Sequence, residues 1–206
     1  MNLPQALTLE GSHVKLIPLS QKHCAALGEL VQKEGLHALW YTSVPTYDQM
    51  EEEINRRLAL QSVGSMLAFS VWDKSRNCLC GMTTFMHIEP KHKRMEIGST
   101  WLSKESQRSG LNTQMKYLML RHAFEELACI AVEFRTHFMN TQSRRAIERI
   151  GAKLDGILRS HQIMKDGSLR DTCVYSITQA EWPSVRSNLI YLQSKEYQAR
   201  NNSHVD

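Results

Sequence analysis

The feature that most constrains the fold is a change of pattern near residue 103. Before it, three apolar stretches of strand length, 66–72, 78–88 and 96–102, follow one another through short polar connections. After it, the polar segment 107–112 leads into the amphipathic pattern of a helix at 113–127. Short connections favour an antiparallel meander for the three strands. The polar loop after them leads into a helix and not into a further hairpin. The chain is therefore expected to form a sheet with helices packed on it.

The other elements are predicted by the same apolar periods and turn residues. They begin with a strand at 13–19, a helix after Ser20 that Gly35 ends, and a helix after Pro45. Later come a strand at 132–136, a helix at 143–150 that Gly151 ends, and strands at 153–164 and 170–177 joined by a hairpin turn at Asp166-Gly167. A helix after Pro183 with a frayed tail at 201–206 completes the chain. This order predicts an α/β fold with a mixed, mostly antiparallel central sheet.

The predicted helix at 113–127 has one apolar stripe. Its members are Met115, Leu118, Met119 and Leu127. A helix of this kind packs its apolar side on the core and turns the polar side away from it. Lys116 is therefore expected on the polar side.

The composition bounds the class of protein. The 206 residues suffice for one domain with or without an appendage, and 42% hydrophobic residues are enough for a core. No run approaches the roughly 20 apolar residues of a membrane span, and residues 1–10 lack a secretory signal, so a cytoplasmic protein is expected. A net charge of +4 is too weak to indicate nucleic acid by itself and equally suits a small anionic ligand.

The five cysteines are predicted to be reduced thiols, because their number is odd and no signal precedes them. Cys78 and Cys80 lack the spacing of a redox pair or a zinc knuckle. His87 and His92 follow them, but a second cysteine pair does not. No metal is expected.

The loop at 107–112 has the chemistry of an anion site. The N-terminus of the next helix offers unpaired N–H groups and a partial positive charge. Gly110 permits close approach of a ligand, Ser109 and Thr113 are polar, and Arg108 can add charge. The alternative is an ordinary turn with Asn112 as the N-cap of the helix.

A second polar motif follows the next predicted strand. It consists of Asn140, Ser143, Glu148, Arg149 and Gly151. Together with the loop, this motif resembles the GCN5-related N-acetyltransferases (GNAT), and more closely their RimJ/RimL-like branch.

The loop and the strand before it also match that family. Its acetyl-CoA loop, Gln/Arg-x-x-Gly-x-Gly/Ala, has Gln107 and Gly110 in the matching places, and its Glu-Ile-Gly strand motif stands at 96–98. Asn112 departs from the final Gly/Ala. It could cap the helix and leave the amides free, or narrow the pyrophosphate site.

The resemblance implies acetyl-CoA as cosubstrate, in a sheet that splays between the fourth and fifth predicted strands. The pantetheine arm would bind the backbone of Trp101, Leu102 and Ser103 and the side chain of Asn140. The pyrophosphate would meet the loop and helix start, namely Gln107, Arg108, Ser109, Gly110, Leu111, Asn112 and Thr113. For Asn140, an Asx turn that ends the strand is the alternative.

Two residues are candidates for catalysis of direct attack by an amine. The resemblance places Glu96 as the base, and the alternatives are that it orients the amine or pairs with Arg94 or another strand residue. It places Ser143 as the acid that protonates the leaving thiolate, also within reach of the cofactor. The alternative for Ser143 is the N-cap of its helix.

The resemblance implies that the acceptor binds at the connection between the first two helices. Trp40 and Tyr41, with Glu96, could bind the amine, as could Tyr47, although aromatic residues are more often core. His137 follows the fifth predicted strand, close to the cleft, and is a weaker candidate for catalysis.

One helix is basic through Arg144, Arg145 and Arg149. One of the three could reach the 3′-phosphate of CoA, while a solvated face is the default.

The resemblance covers residues 8–182, which predicts an acetyltransferase domain at 1–182 and a C-terminal helix and tail at 183–206. The expected function is acetylation of a protein N-terminus, an aminoacyl conjugate or a small amine. Relatives often pair, which makes a homodimer a further expectation. Alternatives are a CoA-sensing member without turnover and a nucleic-acid-associated protein. Retention of Glu96 and Ser143 favours the enzyme, and the motifs disfavour nucleic acid.

Overall fold

The structure is a computed structural model that describes residues 7–202, with side chains described as far as residue 195. Most of the predicted tail at 201–206 lies outside the described residues. The strands are β1 (Leu9–Glu10), β2 (Val14–Pro18), β3 (Met66–Asp73), β4 (Cys78–Glu89), β5 (Arg94–Leu102), β6 (Ala131–His137), β7 (Lys153–Ile163) and β8 (Leu169–Thr178). The α-helices are α1 (Cys24–Glu34), α2 (Met50–Ser62), α3 (Leu111–Arg121), α4 (Thr141–Arg149) and α5 (Trp182–Asn202).

The strands form one mixed sheet in the order β1-β2-β3-β4-β5-β6-β8-β7. Among the described strands, the pair β5–β6 is parallel and the other neighbours are antiparallel. This confirms the predicted α/β class, the meander and the final hairpin. Strand β1 was not predicted, since two residues are too short to show a period.

The sheet opens between β5 and β6. Their pairing is confined to three positions and ends where Glu96 is paired with Glu133, although β5 continues to Leu102 and β6 to His137. The predicted splay is therefore confirmed, and beyond Glu96 the two strands enclose a V-shaped gap.

A β-bulge in β5 lies beside this gap. The register with β4 shifts between the pairs Thr84–Gly98 and Met82–Trp101, and Ser99 has a φ of +47°. A bulge re-aims the side chains that follow it. Trp101 therefore packs against the first two helices, in a cluster with Ala68 of β3.

The two faces of the sheet carry different helices. Met95 and Ile97 belong to the larger core, which includes the apolar residues of α3 and α5. The smaller core lies under α1 and α2. Side chains alternate along a strand, so Glu96 and Gly98 lie on the face of α1 and α2.

Two glycines end helices as predicted, whereas the start of α3 differs from the prediction. Gly35 caps α1 with φ +62°, and Gly151 follows α4 with φ +101°. Helix α3 begins at Leu111, with Gly110 as its N-cap at φ +81°. Asn112 is therefore not the N-cap, because it already lies in the first turn.

The end of α3 also differs. A π-helical turn, His122–Glu126, replaces the predicted last turn. The indole of Trp182, at the start of α5, stacks on Phe124 with centroids 5.3 Å apart. The terminal helix thus joins the main core. No helix in the described part of the chain is long and apolar enough to cross a membrane.

Lys116 contradicts its predicted position. Its side chain is buried, with 7% of the residue exposed. The Nζ atom donates a hydrogen bond to Thr100 Oγ1 on β5, at 2.9 Å. The long side chain reaches both strands that border the gap, because Nζ also lies 5.9 Å from the ring centroid of Phe134 on β6.

Candidate active site

Glu96 lies at the point where β5 and β6 part. The residue is 5% exposed. Its Oε2 atom is hydrogen-bonded to His87 Nδ1 at 2.8 Å and lies 3.7 Å from Arg135 Nε. Arg94 instead pairs with Glu133, so the predicted Glu96–Arg94 pair does not form. The alternative of a strand partner for Glu96 is realised through His87 and Arg135.

Burial raises the pKa of the Glu96 carboxyl, because desolvation disfavours the charged form. The partners His87 and Arg135 oppose this shift without cancelling it. A carboxylate with a raised pKa is a stronger base than an exposed one. The site therefore has a group suited to removing a proton from an ammonium ion.

Gly98 leaves room for this carboxylate. A Cβ at Gly98 would lie 2.8 Å from Glu96 Oε1 and 2.8 Å from Met86 Sδ. Both distances are shorter than real Cβ contacts allow. The position of the carboxylate thus depends on a glycine two residues further along the strand.

The bulge that follows is held by a buried arginine of α2. Arg57 Nη1 donates to Thr84 Oγ1 at 2.7 Å and to the carbonyl of Ser99 at 3.4 Å. Glu53, one helical turn earlier, accepts from Arg57 Nε at 2.7 Å. The (i, i+4) spacing of Glu53 and Arg57 could have indicated the ion pair, but not its target.

Aromatic side chains meet at the end of β6, on the face of α1 and α2. The ring of Trp40 contacts that of His137 edge-on at 5.1 Å between centroids, and Tyr41 lies 6.4 Å from it. Trp40 is 54% exposed and Tyr47 44%, so neither is a core residue. The structure thus brings Trp40 and Tyr41 together beside β6.

His137 is a hydrogen-bond donor in its neutral form. Its Nδ1 atom accepts from the N–H of Met139 at 3.0 Å, which leaves the ring proton on Nε2. Nε2 is buried and has no partner among the described residues. Burial, with the charge of Arg170, lowers the pKa of His137. This arrangement does not favour His137 as a base.

The loop before α3 alternates its backbone handedness. Arg108 has φ +57° and Gly110 φ +81°. Gly110 provides no side chain to cap the helix, so the first-turn amides face the loop without a capping oxygen from that position. Such a concave set of amides fits an anion.

The predicted pantetheine contacts lie at the mouth of the gap. Trp101, Leu102 and Ser103 are all buried. The carbonyl of Leu102 already accepts from Gln107 Nε2 at 3.0 Å, and the N–H of Ser103 donates to Cys80. Gln107 therefore braces the end of β5.

Helix α4 begins at the second polar motif. Asn140 is its N-cap, and the Oδ1 atom accepts from the N–H of Ser143 at 3.0 Å. Ser143 is thus the third helical residue, and its alternative role as N-cap is wrong. Its hydroxyl is half-buried and has no hydrogen-bond partner in the part of the chain that the structure describes.

The arginines of α4 are not a uniformly solvated face. Arg144 Nε donates to Tyr175 Oη at 3.0 Å, and Arg149 Nη2 donates to Thr113 Oγ1 at 2.6 Å. Arg145 is exposed. Arg144 and Arg149 therefore fix α4 to β8 and to the start of α3.

Replacing Tyr175 with Phe is expected to lower the free energy of unfolding by about 1–2 kcal/mol. The buried hydroxyl also donates to Glu148 Oε1 at 2.8 Å, so the change removes two hydrogen bonds that hold α4. Urea unfolding measures the effect. Tyr47→Phe, at an exposed position, is the control and should unfold at the wild-type midpoint. An unchanged midpoint for Tyr175→Phe would mean that these bonds do not stabilise the fold.

Sequence reasoning missed the partners of Glu96 and the burial of Lys116 and Arg57. Along β6, Glu133, Arg135 and His137 occupy alternate positions, a signal that their side chains share a face. No group of three or more His, Cys, Asp or Glu side chains suited to a metal occurs among the described residues.

A mixed sheet that opens beyond a short parallel pairing, followed by a helix with a glycine N-cap, is the arrangement expected of an acetyl-CoA-dependent N-acetyltransferase. The family model described as "Acetyltransferase (GNAT) domain" matches residues 13–153, more than half of the chain. The protein belongs to the GNAT family of acetyltransferases.

Two named relatives agree with the predicted RimJ/RimL-like branch. The Bacillus subtilis (strain 168) protein YdaF, provisionally named a ribosomal N-acetyltransferase, is 27% identical over 176 residues, which cover 82% of this chain and 93% of YdaF. The ribosomal-protein-serine acetyltransferase of Escherichia coli (strain K12) is 25% identical over 159 residues, 74% of this chain and 86% of that enzyme.

A solved structure agrees with the assignment to the GNAT family. The crystal structure of a GCN5-related N-acetyltransferase from Brucella melitensis is 29% identical, with a TM-score of 0.82, and the match covers 93% of this chain and 87% of that one.

Proposed function

We propose that this enzyme transfers the acetyl group of acetyl-CoA to a primary amine by direct attack, with Glu96 as base and Ser143 as acid. The observation that carries the proposal is the buried Glu96 carboxylate at the point where β5 and β6 part. Its place in the fold lets an amine on the face of α1 and α2 approach a thioester held in the gap.

The proposed role of Glu96 is to make the amine nucleophilic. An ammonium ion has no free electron pair and cannot attack a carbonyl carbon. Glu96 takes a proton from it, directly or through a water, and the raised pKa of the carboxyl favours that transfer. His87 and Arg135 hold the carboxylate in place.

The residues at the gap fit acetyl-CoA. The amides of the loop and of the first turn of α3 would hold the pyrophosphate, with Arg108 beside them. The backbone from Trp101 to Ser103 and the side chain of Asn140 would hold the pantetheine arm. Arg145 is exposed on α4, whereas Arg144 and Arg149 bond to β8 and α3, so Arg145 is the arginine we favour for the 3′-phosphate.

The geometry of α4 supports Ser143 as the acid. The Asn140 side chain already caps the helix, so the Ser143 hydroxyl is not needed for capping. It lies in the first turn, where the helix dipole favours negative charge such as that developing on a leaving sulfur.

The acceptor we favour is the N-terminus of a protein. The two curated relatives carry names that refer to ribosomal acetylation. The exposed ring of Trp40 beside Tyr41 and His137 forms an open surface rather than a closed pocket, which suits a peptide chain.

A screen of acceptors tests the proposal. Short peptides with free N-termini, aminoacyl esters and diamines are mixed with acetyl-CoA, and released thiol is measured against reactions without amine. We expect amine-dependent thiol release, fastest with peptides, and an acceptor heavier by one acetyl group. Binding of acetyl-CoA without amine-dependent release across the whole panel would support the CoA-sensing alternative instead.

Ser143→Ala is expected to lower kcat about tenfold, the equivalent of one hydrogen bond to the leaving sulfur. Alanine is a good helix former, and the Asn140 cap uses the backbone N–H, so the fold should be unaffected. Calorimetry should give an unchanged Kd for acetyl-CoA. Thr141→Ala, on the same turn, is the control. A weaker Kd with unchanged kcat would instead make Ser143 a cofactor contact.

A further inference from the structure

Lys116 of α3 lies beneath the opening between β5 and β6. Its Nζ atom is 2.9 Å from Thr100 Oγ1, on β5, and 5.9 Å from the ring centroid of Phe134, on β6. Thr100 comes four residues after the last β5 residue that pairs with β6, and Phe134 comes one residue after the last paired residue of β6. The Nζ atom thus lies close to both strands that border the gap, on the α3 face of the sheet.

The surroundings of this amine are uncharged. Thr100 Oγ1 is hydrogen-bonded to Thr83 Oγ1 at 2.8 Å, and Thr83 donates to the sulfur of Met119 at 3.5 Å. No carboxylate of the described residues lies within ion-pair distance of Nζ. Burial alone lowers the pKa of Lys116 to about 7. Glu96 and its partners lie on the opposite face of the sheet, and Arg149 of α4 donates to Thr113, one helical turn before Lys116 on α3.

A buried amine without an anionic partner destabilises a fold. An apolar side chain of similar length would fill the same space at lower cost. Buried groups with shifted pKa values concentrate at functional sites for this reason. The missing partner is expected to be a ligand that carries negative charge in the gap.

The two faces of the sheet separate the reacting groups. The bulge at Ser99 turns Thr100 toward α3, whereas Glu96 and Gly98 face α1 and α2. An amine deprotonated by Glu96 reaches the thioester from the α1 and α2 face. In the pose we propose, the carbonyl carbon of the thioester faces the attacking amine and the sulfur faces α3, where Lys116 contacts Thr100 and Phe134.

We infer that Lys116 is a further residue of the acetyl-transfer site, whose ammonium group binds the sulfur of CoA as negative charge develops on it. This inference rests on the proposed function. In the step, the N–C bond forms and the C–S bond breaks, and the electron pair stays on sulfur beside Lys116. Glu96 takes the first proton of the ammonium ion and later releases it to water. The second N–H proton, which is lost as the amide forms, replaces the proton that Ser143 gives to the sulfur, so the serine ends as a hydroxyl.

The experiment compares wild type with Lys116→Met, using CoA and its analogue without the sulfur atom, dethio-CoA. Calorimetry should show wild type binding CoA about tenfold more tightly than dethio-CoA, as expected for a charge-assisted hydrogen bond. Lys116→Met should bind the two equally. Thr100→Val, which removes the hydroxyl that orients the amine, should give an intermediate difference.

The ultraviolet absorbance of bound CoA gives a second measurement, because thiolates absorb and thiols do not. The pKa of the bound CoA thiol should be lower in wild type than in Lys116→Met, since a neighbouring cation favours the thiolate. The same protein titrated without CoA gives the background, to which Cys80 and Cys129 add little because burial raises their pKa values to about 12 and about 11.

The stability of Lys116→Met distinguishes binding of the CoA sulfur from a purely structural role of the lysine. Lys116→Met should unfold at the same or a higher urea concentration than wild type while losing preference for CoA. Equal thiol pKa values and an unchanged preference for CoA in a folded Lys116→Met would overturn the inference. A variant too unstable to fold would do the same, because the amine would then be structural. Failure of wild type to bind either CoA or dethio-CoA would instead contradict the proposed function.

Discussion

Glu96→Gln is expected to lower kcat by about 100- to 10,000-fold, the range over which a general base contributes. Glutamine preserves the size of the side chain and can still hydrogen-bond His87, but it cannot take a proton. Because the substitution lies beside the gap and not at the cofactor loop, the Kd for acetyl-CoA should be unchanged. Steady-state kinetics and calorimetry measure the two quantities separately.

The pH profile adds a second test of Glu96. A base must be deprotonated to act, so activity should fall as pH drops through the Glu96 pKa, which burial raises above 4.5. In Glu96→Gln this acid limb should disappear. Glu89→Gln, which changes an exposed carboxylate on β4, is the control and should keep the wild-type profile. A Glu96→Gln enzyme with wild-type kcat and the same acid limb would show that another group is the base.

Gly98→Ala is expected to lower kcat by about 10- to 100-fold, the scale of a displacement of roughly 1 Å in a catalytic group. The new Cβ would come 2.8 Å from Glu96 Oε1 and from Met86 Sδ. Both are ends of side chains that can move, so the protein should fold while the carboxylate is displaced. Thermal unfolding should show that the protein still folds, and steady-state kinetics should show the loss of kcat.

Two further variants control the Gly98 prediction. Gly156→Ala, also in a strand, places its Cβ where no atom lies within 4 Å and should leave activity unchanged. In a Glu96→Gln background, Gly98→Ala should lower kcat little further, because both changes act through one carboxylate. Additive losses would mean that Gly98 matters for a reason unrelated to Glu96.

The parts of the fold that repeat locally could be predicted from the sequence. The three strands of the meander show their period within a few residues, and Gly35, Gly151 and the Asp166-Gly167 turn mark ends of elements through backbone conformation alone. The candidate loop and the Asn140 motif were also found in this way. In each case the signal is contained in neighbouring residues.

What the sequence could not show depends on which elements become neighbours in space. Lys116 fits the polar side of a helix by period, and its burial follows from contacts with Thr100 on β5 and Phe134 on β6. His87 and Arg135 reach Glu96 because β4 and β6 flank β5, and no local pattern states that order. Asn112 was a reasonable N-cap by residue type, but Gly110 takes that position through its positive φ.

The most direct test of the central claim is a calorimetric titration of the wild-type protein with acetyl-CoA, which needs no knowledge of the acceptor. If the gap between β5 and β6 and the amides at the start of α3 form an acetyl-CoA site, the titration should show one site per chain. The affinity should fall on Gly110→Val, which places a β-branched residue at φ +81°. Absence of binding at acetyl-CoA concentrations of about 1 mM, equivalent to less than about 4 kcal/mol of binding free energy, would contradict the account.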